Sequence, residues 1–118
     1  MVVADYLILL GCVLGVAAGQ LLFKMAASTP RPDGEAWRLF LSPPLIAGLA
    51  VYGIATIVWV WQLRSVPLTR AFPFMALGFV VTPLAASFLF QEATSPRYWL
   101  GAALICVGII LSITDTAP

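Results

Sequence analysis

The sequence predicts an all-α integral membrane protein, a bundle of four transmembrane helices. Three observations support this. Of the 118 residues 62% are apolar and only 9% charged, against roughly 45–50% and about 25% in soluble domains. The few charges leave four charge-free runs, 6–23 (18 residues), 39–63 (25), 71–91 (21) and 98–114 (17). At about 1.5 Å per residue each run crosses a hydrocarbon core of about 30 Å, the last one with its flanks. A water-soluble fold of this length has too few polar groups to cover so much apolar surface.

The elements follow in order. The first helix spans about 5–27. Its apolar stretch is longer than the roughly 7–15 residues of a signal peptide, and Asp5 stands where basic residues belong, so it is expected to be retained. The connection from Ser28 to Ser42 is the long one, made irregular at its start by Pro30, Arg31, Pro32, Asp33 and Gly34. Pro43 and Pro44 suit the first turn of a second helix over 43–63, where a missing N–H costs nothing. The short turn Arg64 to Arg70 makes the second and third helices antiparallel neighbours. The third helix covers about 71–90. Ser95 is then a candidate N-cap and Pro96 the first residue of a fourth helix over 96–114. One domain over 1–118 is expected.

Four spans put both ends on one side with Arg64 and Arg70, against Arg31, Arg38, Arg97 and Lys24 on the other. This charge bias is too small to fix orientation, and it permits either one or both.

Several function classes fall away. There is no His, and Cys12 and Cys106 lie far apart inside apolar runs, so no metal site or cofactor is expected. Both cysteines read as small packing residues. A net charge of +1 without a basic block excludes nucleic acid as a partner. No phosphate-binding loop and no nucleophile–base–orienter trio can be assembled, so no enzyme is expected.

The polar and small residues inside the spans are the candidate site. Gly11, Gly15 and Gly19 recur every four residues and let another helix approach closely, within the subunit or in a second one. Val16, Gln20 and Lys24 share another face. Lys24 either snorkels to the membrane surface or faces a cavity, and no acid inside its helix is placed to pair with it. A cationic polar stripe of this kind would attract a phosphate or carboxylate. Gly48, Tyr52, Thr56 and Trp59 make one face of the second helix, with hydroxyls and an indole N–H. Trp59 is either pocket lining or part of an interfacial belt with Trp61 and Gln62. Pro73, Gly78 and Pro83 bend the third helix, as a rocking transporter requires and as static bundles also show. In the fourth, Gly101, Ile105, Gly108 and Ser112 form a stripe suited to helix–helix contact. Glu92 either is solvated, titrates at the membrane surface, or pairs with Arg97.

These residues resemble a known family. Gly19-Gln20-Leu21-Leu22-Phe23-Lys24, Val66-Pro67-Leu68 with Ala71-Phe72-Pro73, and the run Gly101 to Gly108 are similar to the drug/metabolite transporter superfamily and its small multidrug resistance exporters. Those exporters carry a membrane-embedded Glu where this chain has Val16. The subunits of the aminoarabinose–undecaprenyl-phosphate flippase are a better match, through Ala18-Gly19-Gln20 with Lys24 and the run from Leu63 through Glu92, Ser95, Pro96, Arg97 and Trp99 to Gly101. Their Glu-Pro after the third helix is Glu92-Ala93 here.

The resemblance implies a bacterial inner-membrane subunit that pairs with itself or a similar small subunit. It would move a polyprenyl-phosphate sugar or related anionic amphiphile, held non-covalently. Lys24 and Arg70 would take the phosphate, with Gln20, Tyr52, Trp59 and Glu92 completing the site and Gly101, Ile105, Gly108 and Ser112 forming the dimer interface. The alternatives are an exporter of amines, guanidinium or quaternary ammonium compounds, and an accessory subunit that transports nothing alone.

Overall fold

The structure is a computed structural model that describes residues 2–28 and 36–114, Ala36 by its backbone alone. The irregular start of the first connection, Pro30 to Gly34, lies outside the described residues, as does Asp115. Among the described residues five α-helices make four spans: α1 (Val3–Ser28), α2 (Pro43–Gln62), α3 (Leu68–Ala76), α4 (Gly78–Leu89) and α5 (Pro96–Ile113). All four spans are long and apolar enough to cross a membrane, with α3 and α4 together forming the third.

Local chemistry accounts for the helix ends. Pro43 and Pro44 occupy the first turn of α2, and the Ser42 hydroxyl donates to the Leu39 carbonyl (2.7 Å), holding a short 3-10 turn over Ala36–Leu41 against it. The Ser95 hydroxyl caps α5 by accepting from the Tyr98 amide (3.3 Å), with Pro96 next in line. The third span starts at Leu68, three residues before the expected 71. The Pro67 carbonyl accepts from the amides of Arg70 and Ala71 (both 3.0 Å), so the first turn forms as soon as the proline is passed.

Two prolines lie within this span, Pro73 inside α3 and Pro83 inside α4. Each removes one ladder donor and crowds the carbonyl four residues earlier. Between Pro73 and Pro83 the helix breaks at Leu77, whose amide bonds three residues back to Phe74 (3.1 Å).

α1 and α2 make the most extensive pairing, and small residues bring it close. A Cβ added at Gly15 would lie 3.0 Å from the Ala55 Cβ, and one at Gly19 would lie 3.2 Å from the Tyr52 Cβ. Gly15 and Gly19 therefore serve packing within the subunit, while Gly11 meets nothing within 4 Å. The apolar core is Leu9, Val13, Val66, Ala71 and Phe74, with Tyr6 and Trp59 packed around it. Tyr6 and Phe74 stack tilted at 5.6 Å. By contrast α4 buries none of its residues, and α5 buries only Ala102 and Ile109.

Candidate functional site

The site residues divide between two ends of the molecule and a groove between them. At the first end, α1 starts beside the close of α2. The Gln62 side-chain amide donates to the Asp5 carboxylate, and Gln62 is 4% exposed. Gln62 is thus not a belt residue. Its neighbour Trp61 stays exposed under the Arg64 guanidinium, 4.0 Å from the ring centroid. Arg70 stands at this end, in the first turn of α3.

Lys24 lies 19 residues further along α1, roughly 28 Å by helical rise. Arg70 and Lys24 therefore do not converge on one head group, contrary to the expectation from sequence. What does converge on Lys24 is Glu92, with Nζ and Oε1 at 3.9 Å and both side chains about half exposed. The partner of Glu92 is thus Lys24 rather than Arg97, and the acid that α1 does not place near Lys24 arrives from the turn after α4.

The backbone explains this approach. α4 ends with the Phe90 amide on the Ala86 carbonyl (2.9 Å). Gln91 then adopts a left-handed conformation, φ 52°. That is the conformation in which helices commonly terminate and reverse direction, and it turns the next residue back toward α1.

Beside this pair is a space of about 480 Å³ lined by Pro83, Glu92, Ala93, Thr94, Ser95 and Tyr98. The Thr94 hydroxyl accepts from the Trp99 indole N–H (2.8 Å), and the Tyr98 and Trp99 rings meet edge to face at 5.2 Å. These contacts shape the mouth of the space with hydrogen-bonding groups. Thr94 and Tyr98 are not among the expected site residues, because Thr94 lies in the turn before α5 and Tyr98 in its first turn, outside the polar faces read along the spans.

Between the ends, Val16, Tyr52, Thr56 and Trp59 line one groove of about 530 Å³, closed on its far side by Phe72, Met75 and Phe79. Of the α2 residues expected to share a face, Tyr52, Thr56 and Trp59 line this groove, while Gly48 lies against Phe23 and Leu22 of α1. The polar content of the groove is small, since the Thr56 hydroxyl donates back to the Tyr52 carbonyl (2.9 Å). The Tyr52 ring packs on Phe23 at 6.0 Å. Trp59 both lines the groove and packs on the core. Gln20 is exposed one turn from Lys24. The groove is thus an apolar slot, separate from the polar space at Glu92.

On α5, Gly101, Ile105, Gly108 and Ser112 are exposed. A Cβ at Gly101 or Gly108 would meet nothing within 4 Å. Ile105, Gly108 and Ser112 also edge a shallow groove against Phe72, Pro73 and Ala76.

Comparison with known proteins agrees with this arrangement. The EamA-like transporter family matches residues 5–114. The chain is 35% identical over 108 residues to the probable 4-amino-4-deoxy-L-arabinose-phosphoundecaprenol flippase subunit ArnE of Aeromonas hydrophila, covering 91% of this chain and 95% of that one. It is 35% identical over 109 residues to the same subunit of Serratia proteamaculans (92% and 95%) and 36% over 108 to that of Yersinia pestis (91% and 94%). No solved structure gives a significant match. The four spans, the groove and the match over 5–114 agree: the chain is a multi-pass membrane protein that belongs to the EamA-like transporter family.

Proposed function

We propose that this chain is a flippase subunit of the bacterial inner membrane. It carries a polyprenyl-phosphate sugar, or a related anionic amphiphile, from one leaflet to the other. The printed names of its relatives favour this reading, and the observation that supports it most directly is Lys24. Its ammonium stands half exposed at the end of a span, 3.9 Å from Glu92, which is itself one wall of a space lined by hydrogen-bonding side chains. A phosphate left unpaired in hydrocarbon costs many kcal/mol, so a cationic partner at head-group depth is a physical requirement. The prenyl tail needs no protein cover and stays in lipid. Transport is non-covalent, and Gln20, Tyr52 and Trp59 border the path the head group takes. The working unit is a dimer with a second copy or with a similar small subunit.

Lys24→Ala tests the proposal in a reconstituted flipping assay. A charge-assisted contact is worth roughly 1.5–3 kcal/mol, about a factor of 10 to 150 in affinity. Flipping is expected to fall by at least that lower factor, and Lys24→Arg to keep part of it. An exposed ion pair contributes little to folding, so expression is expected to survive. Wild-type rates in Lys24→Ala would mean that the lysine merely snorkels.

A further inference from the structure

We propose that the short 3-10 turn Ala36–Leu41 is a membrane-surface anchor, with Trp37, Phe40 and Leu41 seated in the head-group layer of the bilayer. Its partner is a phospholipid surface, and the anchor serves this multi-pass chain whatever cargo it carries.

A 3-10 turn repeats every three residues, so side chains at i and i+3 eclipse. Trp37 and Phe40 therefore share one face, and Arg38 and Leu41 share the next. Leu39, on the remaining face, is half-buried and turns toward the protein. The other two faces are open, with Trp37 58%, Phe40 68% and Leu41 63% exposed. So much apolar surface on so short a segment marks a surface that meets a partner other than water.

The position of the turn identifies that partner. The Leu39 carbonyl accepts from both the amide (3.2 Å) and the hydroxyl (2.7 Å) of Ser42, whose side chain is buried. Those two bonds tie the turn to the start of α2. The 20 residues of α2 rise roughly 30 Å, the thickness of the hydrocarbon core. A turn fixed to the start of that span lies just outside the hydrocarbon, at the depth of the glycerol and phosphate groups. Tryptophan favours this depth, where its ring meets acyl chains and its N–H meets water. Arg38 fits the same layer, with its guanidinium 5.5 Å from the Trp37 ring centroid. Deeper in the bilayer the guanidinium is costly, and further out the apolar side chains are uncovered. Only the head-group layer satisfies both. At the opposite end of α2 the exposed Trp61 lies under Arg64 in a similar way. The two Trp–Arg pairs bracket one apolar length. Together they fix the depth of α2, and with it that of α1, which interlocks with α2 and carries Lys24.

The test uses the full chain in phosphatidylcholine vesicles whose lipid is brominated either next to the head group or at the ends of the acyl chains. Bromine quenches an indole on contact, so the difference in emission between the wild type and Trp37→Phe reports the depth of Trp37. That emission is expected to lie to the blue of a solvated indole. It is expected to fall with bromine near the head group and hardly at all with bromine at the chain ends. Replacing Phe40→Ser and Leu41→Ser together is expected to shift it to the red and to lower the loss, as the indole is drawn toward water. Red emission that neither lipid quenches would leave the turn in water. Blue emission that neither lipid quenches would put it against protein, a second subunit included. Stronger loss to the chain-end bromine would bury it in hydrocarbon. Each of these results overturns the anchor, as does a double variant that keeps the wild-type emission and quenching.

Discussion

Val16 occupies the position at which small multidrug resistance exporters place an acid, and its side chain faces the middle groove with Tyr52, Thr56 and Trp59. A cation in that slot would meet aromatic faces and aliphatic carbons with no counter-charge. A proton-coupled exchange needs a group there that binds a proton and a cation in turn, and valine does neither. Proton-driven uptake of a quaternary ammonium compound is therefore expected to be absent in purified vesicles. Its detection under an imposed pH gradient would reject the flippase reading. The glycines separate along the same line of close contact. A Cβ at Gly48 would lie 2.8 Å from two carbons of the Phe23 ring and 3.1 Å from the Leu22 Cβ, whereas one at Gly53 meets nothing within 4 Å. Overpacking costs about 1–3 kcal/mol, more than the roughly 1 kcal/mol that a helix gains from Gly→Ala. Gly48→Ala is expected to lower the melting temperature in detergent and Gly53→Ala to hold or raise it. Equal shifts for the two variants would show that the α1–α2 contact is looser than these distances.

At the scale of the element, the four spans are legible in the sequence because lipid demands an unbroken apolar run with every backbone group bonded internally. Ser42, Pro43, Ser95 and Pro96 mark their boundaries for equally local reasons. The α2 face Tyr52–Thr56–Trp59 is legible too, since 3.6-residue periodicity alone puts those side chains together. Long-range pairings are not legible in this way. Asp5 with Gln62, and Lys24 with Glu92, join groups whose local patterns read as ordinary solvated span ends. The reversal at Gln91 is similarly hidden, because glutamine has no preference for a positive φ and only the tertiary path requires one. A left-handed conformation costs a non-glycine residue roughly 1–2 kcal/mol. Gln91→Gly is therefore expected to stabilise the protein by up to about 1 kcal/mol, after the entropy that glycine adds to the unfolded chain. The turn that presents Glu92 should persist, so transport is expected to continue. A fall in melting temperature would show that the Gln91 side chain holds the turn by contacts of its own.

For the whole molecule, the uneven packing of the two halves carries the argument about assembly. α1 and α2 interlock through Gly15, Gly19 and Gly48, while α4 and α5 bury almost nothing of their own. Lipid contact alone would make bulky apolar residues the natural filling for the exposed positions of α5, yet Gly101 stands there with space around it and Gly108 edges the shallow groove against Phe72 and Pro73. Small residues on an open transmembrane face are what permit a second helix to approach closely, since packing and not apolar burial drives association in lipid. Four helices with apolar grooves between them do not enclose a polar path for a sugar phosphate, and a second subunit facing α5 would complete it. Gly108→Trp is accordingly expected to weaken the dimer tenfold or more, the factor that follows from about 1.4 kcal/mol of lost fit. The monomer is expected to fold, because a Cβ at Gly108 meets nothing within 4 Å and the indole has the open groove edged by Phe72, Pro73 and Ala76 beside it. Cross-linking in native membranes and the mass of the detergent complex read the two effects separately. Gly19→Ala is the matched control, since it strains the α1–α2 contact inside the subunit and should lower stability without selectively dissociating the pair. An unchanged cross-linking pattern for Gly108→Trp would place the interface elsewhere, with the groove edged by Gly11, Ile8, Val51 and Ile54 as the next apolar face to test.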